Sequence, residues 1–271
     1  MSHSRFLMCP PLHFGVEYII NPWMESQLHA TDAKVADWQW SRLHALLSER
    51  AEVTSLAAVA GLPDLVFTAN AALIYHETAI LSNFRCPERQ PESPHFAKWL
   101  RADGFAIRTL PADVPFEGAG DALFDRNQAL LWFGHGMRSD IAAKTYLEQF
   151  VDVEVQPLRL QDARFYHLDT CFCPLEGGYL LYYPPAFDEA GNSAIEARVP
   201  WNRRLALSCE DALNFACNTV NIGKSVILNH ASRELVARLN EYGFEVITTV
   251  LTEFIRAGGA AKCLSLRLNE A

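Results

Sequence analysis

The sequence lacks any apolar run long enough to cross a bilayer. The longest, such as 178–186, fall well short of the roughly 20 residues a spanning helix needs, and several are broken by prolines. The N-terminal MSHSRFLMCPP has no apolar stretch of secretory-signal length, so the cytoplasm is the expected location. Positive charge is also in deficit: 23 Lys and Arg stand against 32 Asp and Glu, a net charge of −9. Nothing in that balance attracts phosphate backbones or anionic membranes, and neither nucleic acid nor membrane is an expected partner. A cationic small molecule suits the sign better. No Gly/Ser or Pro-rich tract divides the 271 residues, which leads us to expect one domain over 1–271. A homo-oligomer is compatible with the sequence.

Seven cysteines, at 9, 86, 171, 173, 209, 217 and 263, make an odd and irregular set that reads as free thiols in a reducing compartment. Half of the residues are apolar, enough to bury a full core. Helical periodicity is clearest over 32–49, with Thr31 or Asp32 placed to cap, and recurs at 94–103, 139–149, 210–216 and 232–242. Between these lie strand-like runs at 65–68, 71–75, 79–82, 106–110, 129–133, 151–155, 178–183, 204–207, 225–229 and 245–250. This alternation predicts an α/β fold. Strands ending in polar residues recur near Asn70, Glu117 to Asp121, His167 to Asp169, Asn218 to Asn221 and Gly258 to Cys263, which suggests five similar units.

Four segments could carry chemistry. YHLDTCFCP at 166–174, read as a strand, puts His167, Asp169, Cys171 and Cys173 on one face. These are zinc-ligand types, but alternate strand positions splay too widely to surround one ion, and the bland reading makes the two cysteines small core hydrophobes. FEGAGDAL at 116–123 sets two carboxylates four apart among small residues, without the third glycine of a dinucleotide site. AGGAAKCLSLRL at 257–268 reads as a small-residue turn leading into a strand with Cys263 at its start; a lone cysteine so placed is more often inert than nucleophilic. In PDLVFTAN at 63–70, Asp64 and Asn70 could be ordinary turn formers, and Arg89 and Arg138 could be merely solvated.

Taken together and in this order, PDLVFTAN, FEGAGDAL, HLDTCFCPL and GGAAKCLSLRL resemble the guanidine-modifying penteins, the superfamily of arginine deiminases, dimethylargininases, amidinotransferases and dihydrolases. CPP…YIINPWM and NFACNTVN make the arginine dihydrolase domain of cyanobacterial bifunctional enzymes the member it resembles most. The resemblance implies a five-bladed pseudo-symmetric α/β propeller with the active site on its central axis. It implies no cofactor and no metal. Carried over residue by residue, it implies Cys263 as nucleophile, His167 as general acid–base, and Glu117 and Asp169 as carboxylates that grip the guanidinium. It implies Arg89 and Arg138 for the substrate α-carboxylate, with Asn21, Asp64, Phe67, Asn70 and Asp121 completing the substrate site.

Asn70 departs from the arginine deiminases, whose matching residue is an aspartate; FTAN is the dihydrolase form. A neutral amide can hold a ureido group that a carboxylate grips poorly, which favours two successive hydrolyses over one. The alternatives are a dimethylargininase or deiminase that stops at citrulline, and a non-catalytic binding protein on the same propeller.

Overall fold

A computed structural model describes residues 4–270. Among these residues fifteen strands form five three-stranded sheets. In chain order they are β1 (Arg5–Met8), β2 (Glu52–Ser55), β3 (Ala72–Tyr75), β4 (Thr78–Leu81), β5 (Ala106–Arg108), β6 (Ala122–Phe124), β7 (Leu130–His135) and β8 (Glu154–Arg159). There follow β9 (Phe172–Leu175), β10 (Tyr179–Tyr182), β11 (Arg204–Ala206), β12 (Val220–Ile222), β13 (Ser225–Leu228), β14 (Glu245–Thr248) and β15 (Leu266–Arg267).

One pattern repeats in every sheet. A first strand turns back antiparallel onto a second, and a helix then carries the chain over to a third strand, parallel to the second. The crossover helices are α1 (Ala33–Ser48), α2 (Ser93–Ala102), α3 (Ala143–Phe150), α4 (Glu189–Arg198) and, after the short α5 (Cys209–Leu213), α6 (Arg233–Glu241); α7 (Thr252–Ile255) is a single turn. A parallel neighbour cannot be reached by a hairpin, so each unit needs its helix. The fifth sheet joins the two ends of the chain: β15 pairs with β1 through Phe6 opposite Arg267 and Leu7 opposite Leu266. This is the five-bladed α/β propeller.

Local sequence explains the helix starts. Asp32 rather than Thr31 caps α1, accepting from the N–H groups of Lys34 and Val35. Thr31 instead accepts from Val16 N–H. Asp188, Ser208 and Ser232 cap α4, α5 and α6 in the same way. The helix α4 escapes the periodicity argument because EAGNSAIEAR buries only Gly191 and Ile195.

Three expectations require correction. Residues 65–68 are not a strand; Pro63–Val66 and Thr68–Asn70 are successive 3-10 turns, closed by Phe67 N–H to Asp64 O, Asn70 N–H to Phe67 O and Ala71 N–H to Thr68 O. Leu65, Val66 and Phe67 are all buried, so no two-residue alternation exists to support a strand. His167, Asp169, Cys171 and Cys173 do not line one strand face, because Leu168–Thr170 is a 3-10 turn and the strand begins only at Phe172. Cys171 and Cys173 sit in the apolar core. Cys263 likewise lies in a turn rather than at the start of a strand, with β15 limited to Leu266 and Arg267.

These turns share a place in the repeat. Residues 68–70, 118–120, 168–170, 215–218 and 261–264 each precede the first strand of a sheet. The turns bond one to the next around a closed ring. Ala69 N–H donates to Cys263 O at 3.1 Å, Asn70 Nδ2 to Glu117 O at 3.4 Å, and Leu168 N–H to Asp121 Oδ1 at 3.0 Å. Asn218 Nδ2 donates to Asp169 O at 3.2 Å, and its Oδ1 accepts from Ala260 and Cys263 N–H at 3.0 Å each. The five polar strand ends of the sequence are therefore the five members of one axial ring.

Candidate active site

The Cys263 thiol faces the Asp169 carboxylate, with Sγ 3.6 and 3.5 Å from its two oxygens, and accepts from Asn218 Nδ2 at 3.0 Å. Burial first, and then the Asp169 charge, push this thiol well above its ordinary value of 9.0. Burial also lifts the Asp169 carboxyl to about 7, with Lys262 pulling the other way. The pair therefore rests as a thiol against an acid group poised near neutrality. An arriving cation would favour ionisation of both.

His167 and Glu117 make the second cluster. His167 Nε2 lies 2.7 Å from Glu117 Oε2, and Arg138 Nη1 donates to the same oxygen at 3.2 Å. Burial alone would raise the Glu117 carboxyl, but Arg138 and then His167 hold it well below the usual carboxylate range. An ionised carboxylate only accepts, so Nε2 carries the hydrogen and Nδ1 is left buried without a partner. Gly120 permits the assembly: a Cβ there would collide with Asn70 Nδ2 and lie 3.4 Å from His167 Cγ. Gly118, at φ +58°, passes too close to the Ala72 backbone for any side chain.

The third cluster is built on Arg89, which is 3% exposed. Its Nε and Nη2 fork onto Glu92 at 2.9 and 2.8 Å, Nη1 donates to Asn70 Oδ1 at 2.9 Å, and Nη2 also reaches Asp64 O at 3.2 Å. Asp64 Oδ2 accepts from the Tyr18 hydroxyl at 2.9 Å, while Oδ1 is buried and unpartnered. Burial raises the Asp64 carboxyl.

A small cavity of about 10 Å³ is lined by Asn21, Asp64, Phe67, Asn70, Arg89, Arg138 and Cys263, together with Ile20, Met24, Tyr166 and Ala257. Seven of the expected residues thus share one cavity wall. Glu117 and His167 are absent from that lining and bear on it through Arg138 and Asn70. Asp169 reaches it through Cys263 and also lines, with Lys262, a second small cavity of about 30 Å³. Asp121 stands apart from both, its oxygens taken by the Ser139 hydroxyl at 2.7 Å and Leu168 N–H. The segment 15–27 roofs the cavity, held by Tyr18 on Asp64, Ile20 O on Arg138 Nη2 at 2.7 Å, and Asn21 Nδ2 on Ala257 O at 3.0 Å.

Sequence reasoning missed Asn218, Glu92, Tyr18 and Tyr166. Asn218 had a signal, since it heads one of the five repeated polar strand ends. Glu92 had none beyond its three-residue spacing from Arg89. Among the described residues no group of three or more His, Cys, Asp or Glu is arranged to hold a metal ion. No helix among them is long and apolar enough to cross a membrane.

The chain is similar to known proteins over nearly all of its length. The chain is 53% identical to the bifunctional arginine dihydrolase/ornithine cyclodeaminase ArgZ of Synechocystis over 98% of its length, although it spans only 38% of that protein. It is 36% identical to the N(G),N(G)-dimethylarginine dimethylaminohydrolase of Mycobacterium tuberculosis over 98% of this chain and 86% of that one. A crystal structure of the substrate-bound N-terminal domain of ArgZ superimposes with a TM-score of 0.98 at 52% identity, covering 98% of both chains. A dimethylarginine dimethylaminohydrolase at 18% identity, covering 98% of this chain and all of its own, shares the fold with a TM-score of 0.83. The sequence model of the eukaryotic N,N dimethylarginine dimethylhydrolase family matches residues 42–269, and the chain belongs to that family.

Proposed function

We propose that this chain is an arginine dihydrolase, converting arginine and two waters to ornithine, carbon dioxide and two ammonia. The observation that carries the reading is the convergence of a buried thiol and carboxylate, Cys263 on Asp169, with a cavity whose polar wall is Asn70, Arg89, Arg138 and Asp64. The 52% identity to a substrate-bound arginine dihydrolase domain supports it.

In this mechanism the guanidinium cation settles between Asp169 and Glu117 and drives Cys263 to its thiolate, the thiol proton passing to the His167 imidazole, and the thiolate attacks the guanidinium carbon. His167 protonates the departing nitrogen and ammonia leaves. The same imidazole takes a proton from water, which hydrolyses the covalent thiouronium and frees the thiolate, leaving a ureido group. A second attack and hydrolysis on that group releases the second ammonia, carbon dioxide and ornithine. The unpartnered Asp64 Oδ1 is an acceptor for the substrate ammonium, and one N–H of Arg89 together with Arg138 serves its carboxylate. A dimethylargininase stopping at citrulline is the second reading, favoured by the mycobacterial relative. The neutral Asn70 weighs against it, because an amide suits an uncharged intermediate.

The test is a product assay on arginine. Ornithine with two ammonia per arginine is expected, and citrulline as sole product would reject the dihydrolase reading. Cys263→Ser should lose at least a thousandfold in kcat while unfolding at the wild-type temperature, an order of magnitude typical of a lost nucleophile. Retained turnover would remove Cys263 from the mechanism.

A further inference from the structure

The Asn70 amide can meet the cavity in either of two orientations, and they differ in chemistry. With Oδ1 inward it would accept from a guanidinium, which has only donors. With Nδ2 inward it would donate to a ureido oxygen, which exists only after the first hydrolysis. The surroundings permit only the second. Arg89 has no acceptor, so the atom 2.9 Å from Nη1 is the amide oxygen; the atom 3.4 Å from the Glu117 carbonyl is the amide nitrogen. Asn70 lines the cavity with its oxygen turned to Arg89 and one N–H turned to the Glu117 carbonyl, which leaves its second N–H without a protein acceptor.

Arg89 could not impose that orientation alone on its flexible stem. Its plane is fixed by the two-point fork onto Glu92, three residues along, in which both oxygens of a 1% exposed carboxylate are used. With the further bond to Asp64 O, four of the five guanidinium N–H groups are engaged. A fork of this kind defines direction as well as charge, which a single-point ammonium would not.

We propose that Glu92 is a positioning residue for the second hydrolysis: through Arg89 it holds the Asn70 amide donor-inward, so that the site is built for the ureido intermediate rather than for the incoming cation. The proposal rests on the dihydrolase reading above. It assigns to a side chain that lines no part of the cavity the decision between retaining and releasing the intermediate.

The experiment is the ratio of ornithine to citrulline formed from arginine by wild type and by Glu92→Gln, which keeps the shape but breaks the two-point fork. Because one neutral hydrogen bond to the intermediate is at stake, the released citrulline share should rise about five- to tenfold, whatever happens to total turnover. A merely structural Glu92 would lower both products in step, and an unchanged ratio overturns the proposal. Should Glu92→Gln fail to fold, Glu92→Asp, which keeps the charge but withdraws it by one methylene, must raise the citrulline share in the same direction. A wild-type enzyme that releases only citrulline rejects the dihydrolase reading itself, and the proposal with it. Wild-type ornithine together with an unmoved ratio in the variant rejects the proposal alone.

Discussion

At the scale of single residues, the site is defined by groups held away from their ordinary ionisation. Cys263 is buried against a carboxylate and so is the reverse of a pre-ionised nucleophile; without a cation beside it the proton stays on sulfur. Iodoacetamide should therefore alkylate Cys263 of the unliganded protein slowly at neutral pH, with a rate that climbs through pH 9 without levelling. A plateau near pH 7 would mean a thiolate already present. In the mechanism we propose, Asp169, lifted to about 7, must be ionised to grip a guanidinium. Glu117 has the opposite environment, and a carboxylate held low by Arg138 and His167 can keep one imidazole tautomer in place. The sequence exposed these residue types and their order. It could not show that Asp121, spaced like a ligand, spends its oxygens on Ser139 and the Leu168 backbone.

At the scale of elements, the working parts are the five tight turns rather than strands or helices. Asn218 illustrates what they do: its one side chain accepts from the backbone of 260 and 263 and donates to Asp169 O and to Cys263 Sγ. Asn218→Ala would orphan two buried N–H groups and cost about 2–6 kcal/mol, read from the urea midpoint. A loss too small to measure would show that the turns hold themselves. Helices were legible because amphipathic spacing and caps are local, as with Asp32 before α1. The turn at 63–70 resembles a strand in sequence because a short apolar run has the same composition in either state, and only tertiary burial on every side distinguishes them.

At the scale of the whole molecule, closure of the ring joins residues near the two ends of the chain. The β1–β15 pairing is reinforced by Glu270, which receives a two-point bond from Arg126 at 2.6 and 2.9 Å. Burial alone would raise the Glu270 carboxyl, yet Arg126 and then Arg267 bring it down to about 2 from 4.5. A depressed carboxylate stabilises the fold fully above its unfolded value and loses that contribution as pH falls through the folded one. Glu270→Gln should thus be less stable than wild type by on the order of 3 kcal/mol at neutral pH, with the gap closing between pH 4.5 and 2. A gap that persists unchanged at pH 2 would assign the loss to packing instead. The sequence by itself determined the α/β class, the count of five units and the candidate chemistry, because periodicity, caps and residue types are carried by short stretches of chain. Only the tertiary structure decided that five distant turns form one ring and that Asn70 turns its oxygen to Arg89 and its nitrogen to the Glu117 carbonyl. Both depend on neighbours tens to hundreds of residues away, whose hydrogen bonds do not exist until the propeller closes.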